Sequence, residues 1–185
     1  RLAILPSTGG PPRILGDTLV SVYLTWAGGR EVAYPVRNQV NIRLRDPETG
    51  EERLLLEQDQ PSIRAPVASP DGTKLAVWRS GYTYTGLWSY SLQDGSAVHL
   101  TEPGQEWHPV GWSLEGDRII ARDSREGGFY WIHMDGNEPT DIPGPELDGM
   151  DCVPHDREGG LVWVCTEEHS FSDVWMVENF DLDRG

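Results

Sequence analysis

The sequence predicts an all-β protein. Its 185 residues include 21 glycines and 14 prolines, which favour turns, and eight tryptophans, which favour strands. No window of about eleven or more residues has convincing helical periodicity. The length suits one domain with a substantial core, or part of a larger domain. Together these observations indicate short strands around an aromatic-rich core.

A turn followed by an apolar run recurs along the chain. Its four copies are TWAGGREVAYPV (25–36), ASPDGTKLAVWRS (68–80), WSLEGDRIIARDS (112–124) and, with altered spacing, CVPHDREGGLVWVC (152–165). The glycines of the first three turns, Gly29, Gly72 and Gly116, lie 43 and 44 residues apart. We predict that each turn is a hairpin whose glycine has a positive φ and whose apolar run enters the core.

A second motif, an aromatic or aliphatic strand that ends in an acidic, glycine-rich turn, alternates with the first. Its copies are LAILPSTGG (2–10), VNIRLRDPETG (40–50), LWSYSLQDGS (87–96), FYWIHMDGN (129–137) and DVWMVENFD (173–181). A short strand follows most copies, which makes a unit of four strands in about 43 residues and predicts a β-propeller. A β-sandwich would also contain regular short strands, but it does not explain why two motifs return in fixed order.

Each four-stranded blade alone would leave both faces of its sheet exposed. We therefore expect the blades to stack and to bury four tryptophans, Trp88, Trp131, Trp163 and Trp175. With the strands of a blade labelled A to D from the inside of the ring outward, we predict one partial propeller of about four blades. Its parts are strands C and D of a first blade (1–17), full blades at 18–58, 62–103 and 105–145, and strands A to C of a last blade (147–181).

The predicted chain begins at strand C of one blade and ends at strand C of another. This arrangement does not match a complete ring of common size, which has about four to eight blades. We therefore expect the chain to be the C-terminal part of a larger propeller. Its two open blade faces would allow self-association.

Charge and hydropathy exclude several classes of partner. The net charge of −15 would repel phosphate backbones and anionic lipids, so we expect no nucleic-acid ligand. The longest apolar runs, such as Leu161 to Cys165, are far shorter than the roughly 18 residues that span a bilayer, so we expect no membrane insertion.

The predicted blade at 62–103 carries the strongest family resemblance. Pro66 with ASPDGTKLAV, followed by LWSYSLQDG and AVHLTEP, is similar to the repeat of TolB-type β-propellers, bacterial relatives of the WD-repeat class. The resemblance extends from Leu2 to Asp181 and is weakest at 20–56, where the turn lacks its aspartate. It implies a protein or peptide ligand at a ring face and favours a periplasmic or extracytoplasmic location. The segment SDVWMVENFD (172–181) also resembles the ending of propeller sensor regions attached to bacterial kinases or winged-helix regulators.

Motifs that carry enzymatic chemistry are absent from the sequence. It contains no G-x-S-x-G nucleophile elbow, no P-loop, no dinucleotide fingerprint and no H-E-x-x-H. We therefore predict a non-catalytic binding or sensor module that uses no cofactor and no metal. The alternative is the propeller portion of an enzyme, either the gate of a prolyl-peptidase-like hydrolase or a polysaccharide-active propeller.

One face of the predicted ring is formed by the loops that enter strand A and those that join strands B and C. We predict the ligand site there, although ordinary loop packing is the alternative for each residue. The first set of loops supplies Arg64, Glu106, Trp107, His108, Asp148 and Asp151. The second set supplies Tyr82, Tyr84, Arg125, Glu167 and His169. The strongest single candidate is GYTYTG (81–86), because two tyrosines between glycines offer aromatic contact area with a polar group.

The two cysteines lie in the predicted last blade. A hairpin centred on Glu158 and Gly159 would place Cys152 opposite Cys165 on neighbouring strands. Both a disulfide and a pair of buried thiols are compatible with this register. A disulfide would imply an extracytoplasmic location.

Overall fold

A computed structural model of the protein describes residues 2–4, 9–16, 24–36, 41–56, 62–81, 85–102, 105–144 and 150–167. The described residues form strands and turns and no helix. In chain order the strands are β1 (Leu2–Ile4), β2 (Arg13–Gly16), β3 (Thr25–Ala27), β4 (Glu31–Val36), β5 (Asn41–Arg45), β6 (Glu52–Leu56), β7 (Ser62–Ala68), β8 (Lys74–Ser80), β9 (Gly86–Ser91), β10 (Ala97–His99), β11 (Trp107–Trp112), β12 (Arg118–Asp123), β13 (Phe129–His133), β14 (Thr140–Ile142), β15 (Met150–Arg157) and β16 (Gly160–Glu167).

Within each sheet, strands that are consecutive in the sequence pair antiparallel. Three sheets have four strands each, and we name them blade 2 (β3–β6), blade 3 (β7–β10) and blade 4 (β11–β14). Two smaller sheets, β1–β2 and β15–β16, have two strands each. We name the second of these the final hairpin. Four-stranded meanders of this kind are the blades of a β-propeller, so the predicted fold class is confirmed.

The first strands of successive blades lie next to one another. Strand β7 contacts β3 on one side and β11 on the other, and β11 also contacts β15. The first strand of each blade therefore lies innermost, and the other three strands extend outward from it.

Alternating side chains bury both faces of each blade, as strand β8 illustrates. Leu75 and Val77 belong to the hydrophobic cluster between blades 2 and 3. Ala76 points the other way and joins the cluster between blades 3 and 4. A third cluster, around Ile120, packs blade 4 against the final hairpin. This two-sided burial explains why the second strands are almost continuously apolar.

The repeated turns join the first and second strands, as predicted. Gly29, Gly72 and Gly116 have φ angles of 69°, 66° and 70°, a region that side chains with a Cβ seldom enter. In blade 3 the Ser69 hydroxyl donates to Asp71 at 2.6 Å and accepts from the backbone N–H of Lys74 at 2.9 Å. In blade 4 Ser113 repeats this arrangement, with Asp117 in the place of Asp71. The run from Leu75 to Trp78 is buried, which confirms the second part of the prediction.

The four tryptophans that we expect to be buried between blades differ in their exposure. Trp131 is only 9% exposed, whereas Trp88 and Trp163 are half-buried, and Trp175 lies outside the described residues. The final hairpin exposes about half of Val162 and Val164. Self-association through an open blade face stays a prediction. Within the described ranges, no helix is long and apolar enough to cross a membrane.

Candidate functional site

The two ends of the ring are chemically distinct. At one end lie the turns that join first to second strands, and we name it the A–B end. At the opposite end, which we name the B–C end, the first strands begin and the second strands finish, because Ser62 pairs with Ser80 and Trp107 pairs with Asp123. The predicted ligand residues that the structure describes belong to the B–C end.

A stack of three side chains crosses from blade 3 to blade 4 at the B–C end. The guanidinium of Arg64 lies over the ring of Trp78, with its central carbon 5.7 Å from the ring centroid. The imidazole of His108, from blade 4, stacks on the same indole with centroids 4.5 Å apart and planes inclined by 17°. We name these three residues the Arg64–Trp78–His108 stack. It joins a cation and two aromatic rings across a blade boundary.

Trp78 is the buried centre of this stack. Its side chain is 8% exposed, and its indole N–H has no hydrogen-bond partner among the described residues. Most buried polar groups have a partner, and this donor is one of a few exceptions among the described residues. Arg64, by contrast, is exposed, and His108 is half-buried.

The backbone beside Arg64 is irregular. Ala65 has a φ of 49° and is the only described non-glycine residue with a positive φ. It lies in a bulge, where the pairing of β7 with β8 shifts between Arg64 and Val67. Bulges redirect side chains, and backbone strain of this kind clusters at functional sites. Arg64 is thus the last residue of β7 to pair with β8, opposite Trp78, before the bulge.

Burial and a neighbouring cation keep His108 neutral. Burial is the largest influence that lowers its pKa below the usual 6.5, and the positive charge of Arg64 lowers it further. The carboxylate of Glu106 acts in the opposite direction but does not reverse the shift. At neutral pH the ring therefore stacks on Trp78 as an uncharged imidazole.

Two further pairs border the stack within blade 4. Arg125 donates to Glu106 at 3.3 Å, and both side chains are substantially exposed. The indole N–H of Trp107 donates to Asp123 at 3.0 Å. Burial raises the pKa of Asp123, but hydrogen bonds from the backbone N–H groups of residues 125 and 126 and from Trp107 outweigh it, so the net shift is downward.

The structure corrects the predicted placement of several candidates. Arg64, Trp107, His108 and Asp151 lie within the first strands β7, β11 and β15 rather than in loops before them. The ring of Trp107 is 9% exposed and stacks on Tyr130 within the core between the blades. The strands begin earlier than predicted because the innermost strand tolerates proline on its unpaired side.

The remaining candidates divide into those with a described position and those without one. Asp151 pairs with Thr166, and Glu167 ends β16 opposite Met150. The other four, Tyr82, Tyr84, Asp148 and His169, lie outside the described residues. Their role in ligand binding stays a prediction.

Trp78 is the residue that sequence reasoning missed. It was assigned only to the apolar run of the repeat. A signal was nevertheless present, because Arg64 and His108 are 44 residues apart, the same spacing as Gly72 and Gly116. They therefore occupy equivalent positions in successive blades and lie near the boundary between them.

A disulfide joins Cys152 to Cys165 in the final hairpin, with the two Sγ atoms 2.06 Å apart. The two residues are direct partners in the register of β15 with β16, around a turn at Glu158 and Gly159. The disulfide thus ties together the two described strands that follow blade 4.

Mixed charges line a cleft of about 670 Å³ at the A–B end of blade 2. Arg53 there donates to Glu31 at 2.9 Å and to the carbonyl of Leu92 in blade 3 at 3.1 Å. The charged groups that line this cleft largely pair with one another, which favours a structural role for the cleft. In the part of the chain that the structure describes, no group of three or more His, Cys, Asp or Glu residues could hold a metal ion.

The blades and their order around the innermost strands define a β-propeller, and solved structures specify its type. The chain is similar to TolB from Acinetobacter baumannii, with 16% identity and a TM-score of 0.69 over 91% of this chain and 43% of that one. It is also similar to a structure assigned to TolB from Agrobacterium tumefaciens, with 24% identity and a TM-score of 0.61 over 75% of this chain and 55% of that one. The fold is therefore that of the TolB-type β-propellers, in agreement with the resemblance of the repeats.

The same fold occurs in enzymes. An oligogalacturonate lyase from Vibrio parahaemolyticus has 16% identity and a TM-score of 0.62 over 82% of this chain and 48% of that one. The chain spans about half the length of these three structures. No protein-family model and no curated protein sequence matches it.

Proposed function

We propose that the protein is a non-catalytic binding or sensor module, part of a larger TolB-type propeller protein, that binds a protein or peptide segment at its B–C end. The observation that carries this proposal is the Arg64–Trp78–His108 stack, which crosses the boundary between blades 3 and 4. The proposed ligand lies across that boundary and contacts both blades.

Residue chemistry supports a polypeptide ligand. Arginine and tryptophan are enriched among the residues that dominate protein interfaces, and a rigid scaffold beneath them limits the entropy lost on binding. Here the stack is supported by two blades whose cores are buried. Strand β8 finishes at this end, and we include in the proposed surface Tyr82 and Tyr84, which follow the strand in the sequence.

An extracytoplasmic location is part of the proposal. It is supported by the resemblance to TolB-type propellers and by the disulfide between Cys152 and Cys165, because structural disulfides persist in oxidising compartments. Quantification of free thiols in protein isolated from its native cells tests this point. A fully reduced pair would contradict it.

Selection from a phage-displayed library of random peptides tests the binding function. The selected peptides are then titrated calorimetrically into the wild-type chain and into Arg64→Ala, His108→Ala and Arg30→Ala variants. The third variant is a matched control, because it removes an exposed arginine at the A–B end. We expect the first two substitutions to weaken binding and the third to leave it unchanged. Peptides that bind all four proteins equally, or a library that yields no binder, would contradict the proposal.

A second candidate function is the propeller portion of a polysaccharide-active enzyme. The similarity in fold to an oligogalacturonate lyase favours it. Incubation with oligogalacturonate, followed by the ultraviolet absorbance of the unsaturated product, distinguishes the two candidates. We expect no product from this chain. Turnover above the level of a heat-denatured control would favour the enzyme instead.

A further inference from the structure

We infer that copies of the chain associate head to tail, with Trp26 of one copy packed against Val162 of the next. Trp26 lies on the side of blade 2 that points away from blade 3, and we name this side the Trp26 face. Val162 lies on the side of the final hairpin that points away from blade 4, and we name it the Val162 face. Both faces flank the stack of blades, so the inference is independent of the proposed peptide-binding function.

The sheets share a common register when their residues are counted back from the turn between the first and second strands. The pairs that close these turns are Ala27–Glu31, Ser69–Lys74, Ser113–Arg118 and Arg157–Gly160. The second pair from the turn is Trp26–Val32 in blade 2 and Trp112–Ile119 in blade 4. The third pairs are Thr25–Ala33, Val67–Ala76, Gly111–Ile120 and His155–Val162. Trp26 is therefore equivalent to Trp112, and His155 with Val162 is equivalent to Val67 with Ala76.

Trp112 shows how this position joins one blade to the preceding blade. Its side chain is 6% exposed and belongs to the same hydrophobic cluster as Ala76 of blade 3. Its indole N–H donates to the backbone carbonyl of Val67 at 2.9 Å. The third pair of a blade thus receives the tryptophan of the next blade, with a carbonyl on the first strand and an apolar side chain on the second.

Trp26 carries the tryptophan half of this contact, but its side chain is 51% exposed. The residues on either side of it face blade 3. The Thr25 hydroxyl accepts from the backbone N–H of Ala68 at 3.3 Å, and Ala27 belongs to the cluster between blades 2 and 3. Because side chains alternate along a strand, Trp26 points to the opposite side of the sheet.

Val162 carries the receiving half of the contact. The equivalent residues Ala33, Ala76 and Ile120 are all 0% exposed and lie in the clusters that join each blade to the sheet that follows it. Val162 is 50% exposed instead. The final hairpin therefore presents the position that the other sheets bury.

The neighbours of Val162 fix the direction of this face. Trp163 packs edge-on against Phe129 of blade 4, with ring centroids 5.5 Å apart. By alternation, Val162 and Val164 point away from blade 4, and about half of each is exposed. The backbone carbonyl of His155 corresponds to that of Val67, and we assign it as the acceptor for the indole N–H of Trp26.

A second copy of the chain carries both halves of the contact. Since each copy has one Trp26 face and one Val162 face, association joins unlike surfaces and continues beyond a dimer unless a ring closes. The contact repeats the one between blades 3 and 4, in which apolar burial and one indole hydrogen bond act together. The net charge of −15 on each copy opposes the approach of two copies, so salt should strengthen association by screening this repulsion.

Sedimentation velocity of the 185-residue chain tests the inference at protein concentrations from micromolar to near-millimolar, in low and in high salt. The variants Trp26→Asp and Val162→Lys each remove one face and leave the other intact. Val98→Lys is the matched control, because Val98 is a 54% exposed valine on β10, the outermost strand of blade 3. Circular dichroism checks that every variant is folded, as expected for substitutions at half-exposed positions.

We expect the wild-type chain to associate reversibly, to an extent that rises with concentration and with salt. Trp26→Asp and Val162→Lys should each remain monomeric, whereas Val98→Lys should associate like the wild type. An equimolar mixture of the two monomeric variants should form a dimer and nothing larger, because it contains only one kind of intact contact. Trp26→Phe, which keeps an aromatic ring but loses the N–H, should weaken association by roughly 3- to 10-fold.

A wild-type chain that stayed monomeric at every concentration and salt would overturn the inference and assign the two faces to other occupants, such as adjoining blades of a longer chain. Equal weakening by Val98→Lys and Val162→Lys, or a mixture that formed no dimer, would overturn it as well. Association of Val162→Lys alone at the wild-type level would indicate contact between like Trp26 faces and contradict the head-to-tail arrangement. Each of these results would leave peptide binding at the B–C end unaffected.

Discussion

The A–B end and the B–C end of the ring differ in how their polar groups are used. At the A–B end, serine and aspartate side chains satisfy the backbone of their own turns, as Ser69 and Asp71 do in blade 3. At the B–C end, side chains from different blades meet, and Trp78 retains an unpartnered indole N–H among the described residues. The turn side chains of the A–B end are paired within their own turns, whereas the stack at the B–C end spans two blades and contains a buried indole N–H that has no partner among the described residues.

The same difference explains which parts of the sequence repeat. The A–B turn recurs in similar form because each blade must reverse direction within a few residues and fit against the next turn. Arg64 and His108 occupy equivalent positions in successive blades but are chemically unlike. We infer that the A–B end is constrained by folding and the B–C end by a ligand, and the following predictions test that contrast.

The largest effect is expected from Gly72→Ala at the A–B end. A Cβ at this position would lie 2.1 Å from the Cα of Gly28 in the neighbouring turn, and the φ of 66° is itself unfavourable for alanine. The overlap is with backbone, so the two turns would have to separate. We expect a loss of about 3 kcal/mol or more in the free energy of unfolding, measured by urea denaturation.

Gly116→Ala is the matched control for that substitution. It has a φ of 70° but no atom within 4 Å of the added Cβ, so it carries the backbone cost without the overlap. We expect a loss of about 1–2 kcal/mol. Equal losses for the two variants would show that contact between the turns contributes nothing.

A smaller effect is expected from Ser69→Ala. This substitution removes the hydroxyl that donates to Asp71 and accepts from Lys74, and we expect it to cost about 1–2 kcal/mol. The Ser69 hydroxyl is also the largest influence that lowers the pKa of Asp71 to about 2. The pKa of Asp71, followed by NMR titration, should therefore rise.

Ser124→Ala provides the comparison, because its side chain is exposed and forms no hydrogen bond within the described ranges. We expect a change within about 0.5 kcal/mol. If Ser69→Ala and Ser124→Ala had the same effect on stability and on the pKa of Asp71, the Ser69 hydroxyl would have no special role in stabilising its turn.

The period of the repeat, the A–B turns and the buried second strands were predictable because they depend on local residue chemistry. The bulge beside Arg64 and the stack on Trp78 were not, since both depend on how two blades meet. The start of β11 was also not predicted. Pro109 lies buried within this strand, where an innermost edge strand needs no N–H on one side, so Trp107 and His108 belong to the strand.

We expect acid to destabilise the fold in two steps. The first step is caused by the half-buried histidines and the second by the turn carboxylates. Burial lowers the pKa values of His99, His108 and His155 below 6.5. The unfolded chain therefore binds more protons than the folded one just below pH 6.5, and stability should fall as the pH decreases from there. Asp71, with its pKa of about 2 against an ordinary 3.8, contributes stability above pH 3.8 that is lost as the pH falls towards 2.

Urea denaturation at intervals between pH 7.5 and about 2 measures both steps. His108→Gln should reduce the first step and leave the second unchanged, whereas Ser69→Ala should reduce the second and leave the first. Stability that stayed constant between pH 7 and 5 would contradict the assignment of neutral, buried imidazoles.

A small effect on stability is expected from Arg64→Ala at the B–C end. Arg64 is exposed, and its contact with the Trp78 ring should contribute only about 0.5–1 kcal/mol to folding. Urea denaturation should therefore show a minor change, while peptide binding should weaken strongly. Such a separation of stability from affinity is expected if the B–C end is built for a ligand, because its side chains add little to a fold already held by the buried blade faces. A loss of stability as large as that of Gly72→Ala would instead place Arg64 in the framework of the propeller and remove the contrast between the two ends.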